Sequence, residues 1–384
     1  MTTWSVVKDD TRQKRRRELI PRSALLACLA LVVVSLGMAF SPGSPKEPAE
    51  PPFSEQARSA ALTETMRLRA AGEELARSTA GDGEPAVART VSLLTSQARA
   101  LLVPGQDGPG SSPAPVSPSS AAPSASASAA APTTAPLPAT AAALATELAA
   151  SASQRLADAA VADGGMARLL AAVGTAQLLQ ASSLAAAAGA PAPAAPDPAA
   201  PQLSGACPSA PASPSTSASS SQAPDSAGAE TGAATLPGAL AATVRTELET
   251  VYGYQVALTR LGGDAAASAS QQLARHEALA AGAEALSRMH CAAVPSREAG
   301  YTMAPEFLAS PAAGLGGLEA SALTVYGDLV ALSEGQTRQW AISGLVGAAR
   351  RSALWGAETG VLPGLAADPA AFPELPAPTV SPTP

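Results

Sequence analysis

Aromatic residues are scarce in this chain, 3% of 384, and histidine occurs only twice, as His276 and His290. A large aromatic-lined pocket is therefore excluded, and no site can recruit several imidazoles. Cysteine occurs three times, as Cys28, Cys207 and Cys291, with no Cys-x-x-Cys or Cys/His cluster, so no structural zinc site is suggested. No convincing strand pattern precedes a glycine-rich loop, which excludes a phosphate cradle. The serines gather in Pro/Ala-rich stretches without a histidine nearby, which excludes a local nucleophile–base pair. Positive charge is also short: the net charge is −7. It is polarised, because residues 1–22 hold seven Lys/Arg against three Asp/Glu, or +4, leaving −11 for the rest. An acidic body has nothing with which to neutralise phosphates, so no nucleic-acid partner is expected.

What the chain has is alanine, 36 prolines and helical periodicity. Residues 1–23 are a basic segment with the character of a cytoplasmic flank. Residues 24–40, ALLACLALVVVSLGMAF, are an uninterrupted apolar run. Its length lies between a signal-peptide core and a full membrane span. The expected location is the cell membrane, as a single-pass protein with its N-terminus inside and its C-terminal domains outside; cleavage near Ala39 would instead give a secreted protein. Arg16-Arg17-Glu18-Leu19-Ile20 fits the core of a twin-arginine export signal, with an ordinary export signal as the alternative. Leu25-Leu26-Ala27-Cys28 has the letters of a lipoprotein box, but most of the apolar run follows the cysteine.

The remainder divides by composition. Helical hairpins are expected at 54–103, turning at Gly81-Asp82-Gly83, and at 139–188, turning at Gly164-Gly165. Ala/Pro/Ser-rich stretches at 104–138 and 189–236, and a Pro-rich tail at 367–384, are expected to stay disordered. The two hairpins have lengths that could close one bundle. Residues 237–366 read as four helices, near 237–262, 266–291, 314–339 and 341–360, with a crossover at 294–313. Two hairpins joined by a long crossover is ferritin-like connectivity. The expected fold class is all-α: a ferritin-like antiparallel four-helix bundle at the C-terminus, two upstream hairpins and one N-terminal transmembrane or signal-anchor helix.

The seams of these helices carry the candidate residues. Leu240, Val244, Glu247, Val251, Tyr254, Leu258 and Leu261 alternate by four and three, which places Glu247 among apolar residues. His276 and His290 fall on the face of Leu279, Ala283 and Leu286. Glu319 lies beside Leu315, Leu318, Ala322 and Tyr326. Residues 250–258 (TVYGYQVAL) and 324–332 (TVYGDLVAL) repeat one another. In that register Glu247 meets Ser321 and Glu319 meets Arg245, so the two carboxylates are expected at non-equivalent positions.

Glu247-x-x-x-x-Tyr252-x-Tyr254, His276, Gly300-Tyr301-x-x-x-Pro305, Leu318-Glu319, Leu323-x-x-Tyr326, Arg338-x-Trp340-Ala341 and Ala348-Ala349-Arg350…Trp355-Gly356 together resemble the ferritin-like domain of unknown function, family 4439, over about residues 237–366. The resemblance implies a ferritin-like bundle on an exported, envelope-attached protein and no established activity. Relatives carry His after the first-helix Glu, where this chain has Leu248.

A di-iron bundle takes a Glu from each of two helices and Glu-x-x-His from each of the other two. This chain has no Glu-x-x-His, so no cofactor and no catalytic residue are expected. Glu247, His276 and Glu319 remain the candidates for a single metal ion. The competing reading makes the two carboxylates core groups paired with Arg350, Arg351 or a tyrosine hydroxyl. Cys207 and Cys291 are the expected disulfide. The chain is read as a non-catalytic binding or scaffold module of the cell envelope. The alternatives are a ferritin-like metalloprotein or oxidoreductase, and a bundle that holds a small apolar ligand.

Overall fold

A computed structural model describes residues 51–78, 85–102, 137–193, 200–205, 207 and 235–375. The basic segment, the apolar run at 24–40, most of the two linkers and the end of the tail lie outside these residues. The described part is all-α: nine α-helices and one 3-10 turn, with no strand among the described residues. Residues Pro52–Pro384 form one compact unit.

The first half is built from α1 (Phe53–Ser78), α2 (Pro85–Leu101), α3 (Ala141–Val161) and α4 (Gly164–Ala187). The hairpins α1–α2 and α3–α4 face each other, with α1 against α3 and α2 against α4. Local chemistry sets the starts. Thr140 caps α3 by accepting from Ala143 N at 3.1 Å, and Asp163 caps α4 by accepting from Met166 N at 3.3 Å. The helices are alanine-rich, so their axes approach closely around a leucine core of Leu68, Leu94, Leu144, Leu148 and Leu184.

The second half holds α5 (Leu236–Leu258), α6 (Gly263–Met289), the single turn α7 (Pro305–Ala309), α8 (Pro311–Leu332) and α9 (Gly335–Leu354). Helices α5 and α6 pair, α8 and α9 pair, and α5 lies along α8. The expected third helix ran to 339, but α8 stops at Leu332. Ser333 and Glu334 are extended and Gly335 takes φ 55°. A left-handed residue breaks the α-helical ladder, and glycine adopts it without steric cost. Arg338 and Trp340 therefore belong to α9.

The two halves share a core. Helix α4 packs on α8 and α9, and one apolar cluster runs from Leu170 to Tyr326, Ala341 and Leu345. Gly164 permits the closest approach: a Cβ there would lie 2.2 Å from the carbonyl oxygen of Ala331. Arginines tie the joint. Arg338 donates to the Val330 carbonyl at 3.1 Å and to the Ala162 carbonyl. Arg168 donates to the Gly364 carbonyl at 2.7 Å and pairs with Asp328 at 2.7 Å.

Helices α4 and α8 are long and apolar enough to cross a membrane by length and composition. In this fold both are core helices: 67% and 50% of their most apolar windows are buried inside the protein.

Candidate functional site

The inward polar residues of α5, α6, α8 and α9 meet in one cluster. Glu247, Tyr254, His276, Glu319 and Tyr326 are fully buried, and Arg351 is nearly so. His276 lies between the two carboxylates, with Nδ1 2.7 Å from Glu247 Oε2 and Nε2 2.7 Å from Glu319 Oε1. An ionised carboxylate only accepts hydrogen bonds. Both ring nitrogens therefore donate, and His276 is an imidazolium. Burial opposes that charge, but hydrogen bonds to Glu247 and Glu319 outweigh it and raise the pKa above the ordinary histidine value.

Three further donors reach the same carboxylates. Tyr326 Oη donates to Glu247 Oε1 at 2.6 Å, and Tyr254 Oη donates to Glu319 Oε1 at 2.7 Å. Arg351 Nε donates to Glu319 Oε2 at 2.9 Å. Trp355 Nε1 in turn donates to Tyr254 Oη at 2.7 Å, and the Tyr254 ring stacks on His276 with centroids 5.1 Å apart. All four carboxylate oxygens thus accept from protein donors. Two carboxylates, one imidazolium and one guanidinium leave the cluster neutral, which makes such a burial tolerable. Burial works against ionised Glu319, yet His276 and Arg351 hold its carboxyl below the usual carboxylate range. Burial pushes both tyrosine hydroxyls well up, so they stay protonated donors.

The cluster has a two-fold pattern that the repeated stretch hides. Tyr326 reaches Glu247 and Tyr254 reaches Glu319, so each helix carries Glu-x6-Tyr, at 247/254 and at 319/326. Seven residues are about two helical turns, which puts both groups on one face. The equivalent positions are 72 apart. The sequence identity of 250–258 with 324–332 implied 74. The expectation of non-equivalent carboxylates is corrected accordingly: the register follows the side chains that cross the core, and the matching letters align Tyr252, which packs instead on Tyr301, with Tyr326.

Two glycines on α9 make room. A Cβ at Gly344 would sit 2.1 Å from Tyr326 Cε1, and one at Gly347 would sit 2.9 Å from Arg351 Nη1. Gly344-x-x-Gly347 in a helix is the signal from which this clearance was readable.

The sequence candidates Glu247, His276 and Glu319 are therefore brought together, with the imidazole placed between the carboxylates and not beside them on a common point. Among the described residues no group of three or more His, Cys, Asp or Glu is arranged to hold a metal ion. His290 stands apart, with Nε2 2.8 Å from Thr337 Oγ1. Of the two arginines weighed, Arg351 reaches Glu319. The hydrogen bond from Trp355 had no counterpart in the sequence reading.

Cys207 and Cys291 form a disulfide, with Cα atoms 5.2 Å apart. Cys291 follows α6 in the left-handed region, φ 55°, and Ala292 N donates back to Ser287 O at 2.9 Å. The neighbouring strap is held as well: Gln336 donates to Ser204 O at 2.7 Å and accepts from Ser204 N at 3.3 Å.

Residues 239–367 match the family model described as Domain of unknown function (DUF4439), so this region of the chain carries that domain. The matched span runs from Ala239, within α5, past the end of α9 and includes every residue of the buried cluster. No curated protein matches, and no solved structure matches.

Proposed function

We propose that this chain is an exported, membrane-anchored protein whose C-terminal third is a ferritin-like bundle turned into a non-catalytic binding or scaffold module of the cell envelope. The single observation that carries this reading is the engagement of every carboxylate oxygen in a fully buried cluster. Each accepts from a protein donor, and both imidazole nitrogens donate. A general base needs a lone pair that a substrate can reach, and a metal needs several that converge on one point. A buried cluster already lined by donors supplies neither.

A ferritin-like fold implies a two-metal centre, and these residues do not fit one. Helices α5 and α8 supply Glu247 and Glu319. Helix α6 supplies His276 without its Glu, and α9 places the cation Arg351 where ligands would stand, 2.9 Å from Glu319. A fixed guanidinium repels a metal ion from that carboxylate. The cluster instead ties four helices together through one charge-balanced core.

Export draws support from the Cys207–Cys291 disulfide, since such bonds persist in oxidising compartments. The apolar run at 24–40 after a basic segment supports an anchor with its N-terminus inside. Protease added to wall-stripped cells should degrade the region after residue 51; protection of that region would refute the topology.

Elemental analysis of the full-length protein, made in metal-replete medium and purified from membranes, tests the central reading. The expected result is no stoichiometric iron, manganese or zinc. Stoichiometric metal that disappears in Glu247→Gln or His276→Ala would establish the competing metalloprotein reading, for which Glu247, His276 and Glu319 are the candidate ligands.

A further inference from the structure

The buried cluster is closed off from solvent, but the joint between the two halves leaves space. A cleft of about 480 Å³ opens where α2 and α4 of the first half face α9 and the strap that follows it. Small-molecule sites have volumes of roughly 300–1,000 Å³ and sit preferentially between packed units. This one is lined on one side by Leu93, Ala176 and Leu179 and on the other by Arg350 and Thr359.

The first side is mixed, with Gln180, Ser182 and Ser183 of α4 beside its apolar residues. Leu93, Ala176 and Leu179 form its apolar part, and burying an alkyl chain against them is favourable in proportion to the area covered. Arg350 is the one formally charged residue of the lining. It has a partner within the protein, but a guanidinium carries five N–H donors in a planar fork, enough to hold a second acceptor. A ligand that uses both sides has a carboxylate at one end and an alkyl chain at the other.

The wall that carries Thr359 is fixed in place. Gly356, Gly360 and Gly364 take φ values of 81°, 70° and 81°, so the strap turns at left-handed glycines every fourth residue. Gln97 of α2 donates to the Val361 carbonyl at 3.3 Å, and Arg168 of α4 donates to the Gly364 carbonyl at 2.7 Å. The first half of the molecule thus holds the second half's strap across the cleft, and the cleft is preformed. A preformed site loses little ordering entropy on binding.

We propose that this cleft binds a fatty-acid-like amphiphile, with its carboxylate on Arg350 and its alkyl chain along Leu93, Ala176 and Leu179. The proposal rests on reading the chain as a binding module and gives that module its ligand class. It is independent of the metal question, because the buried cluster contributes no lining residue.

The test uses the full-length protein in its own membranes and a lauric-acid analogue bearing a photoactivatable diazirine on its chain. After irradiation, adducts are mapped by peptide mass spectrometry. Adducts should concentrate on the peptides containing Leu93 and Leu179, and excess laurate should suppress them. Dodecanol, with the same chain and no charge, should compete about tenfold less well, the effect of losing roughly 1.4 kcal/mol of head-group binding. Arg350→Gln should weaken laurate competition by a similar factor and abolish its advantage over dodecanol. Ala176→Trp should remove the adducts by filling the cleft. Leu93→Trp, at a half-buried position, should do the same without burdening the core if Ala176→Trp fails to fold. Adducts spread evenly over the chain, equal competition by dodecanol and laurate, or labelling unchanged in Leu93→Trp would overturn the proposal. A metal-free protein with no cleft labelling would sink this inference alone and leave the reading of the buried cluster standing.

Discussion

The two halves of this molecule solve the same packing problem with different polar cores. In the first half the buried polar layer that bridges the helices is largely neutral. Ser151 donates to Gln177 at 2.9 Å, Gln177 donates to Gln97 at 3.0 Å, and Gln97 continues to the Val361 carbonyl. The buried pair Arg155–Asp158, 3.0 Å apart, lies within a single helix, and the buried guanidinium of Arg58 reaches the Leu101 carbonyl. In the second half the buried layer is ionised and spans four helices, through Glu247, His276, Glu319 and Arg351. A neutral amide layer tolerates a missing member, because the penalty is one unsatisfied group. A charged layer does not, because each member removed leaves an uncompensated charge in a medium that solvates it poorly. The second half is therefore the more demanding core, and donors reach both of its buried carboxylates, two of them tyrosine hydroxyls.

The sharpest break of that comparison is Glu319→Ala. It strands Arg351 and half of the His276 charge, and should cost about 3–5 kcal/mol, the range for breaking a buried pair. Gln177→Ala in the first half should cost less than half as much. Urea unfolding of the two variants side by side decides it, and equal losses would mean that the charged cluster is no different in kind from the amide layer.

Cys291→Ser comes next. Removing the Cys207–Cys291 bond should lower stability by roughly 2–4 kcal/mol. It should also release the strap around Ser204 to hydrogen exchange while leaving the buried cluster protected. Unchanged exchange at 200–205 would show that the Gln336 clamp holds the strap alone.

Tyr326→Phe removes a donor to a buried carboxylate and should cost about 1.5–3 kcal/mol, as for a hydrogen bond to a charged group. Its counterpart Tyr254→Phe should match it, if the Glu-x6-Tyr pattern is a true equivalence. A difference of more than about 1.5 kcal/mol would break the symmetry; the bond from Trp355 to Tyr254 is where such a difference would arise.

The pH dependence separates the halves as well. The folded pKa of His276 is raised, so its contribution is complete below the ordinary histidine value and is lost as pH rises through the raised one. The folded pKa of Glu319 is lowered, so its contribution is complete above the ordinary carboxylate value and is lost as pH falls through the lowered one. Stability should therefore be flat between these limits and fall on both sides. In His276→Gln the alkaline decline should disappear. An alkaline limb unchanged by that substitution would place the proton elsewhere. The smallest effect is Ser151→Ala, about 1 kcal/mol and independent of pH.

Much of this was legible in the chain. The 3.6-residue periodicity placed Glu247, His276 and Glu319 on apolar faces. The helices of the first half differ from their expected ends by two residues at most. The break at Ser333–Gly335 escaped notice because Ser-Glu-Gly is a weak stop inside a long helical pattern. Arg350 and Arg351 were equal candidates, since adjacent residues on a helix end differ by only about 100°. Which of them turns inward depends on the neighbouring helices.

By itself the sequence determined that the described chain is helical, that Glu247, His276 and Glu319 lie on apolar faces, and that two cysteines are available to pair; it put His290 on such a face as well, and His290 is exposed. Those are consequences of local propensity and of the period at which apolar residues recur. Only the tertiary structure decided that His276 stands between the carboxylates, that the equivalence of α5 and α8 is 72 residues and not 74, and that α4 closes over α8 and α9. Each of these depends on which side chains reach across a core from different helices. That is a matter of axis spacing and side-chain length, and neighbours along the chain carry no record of it.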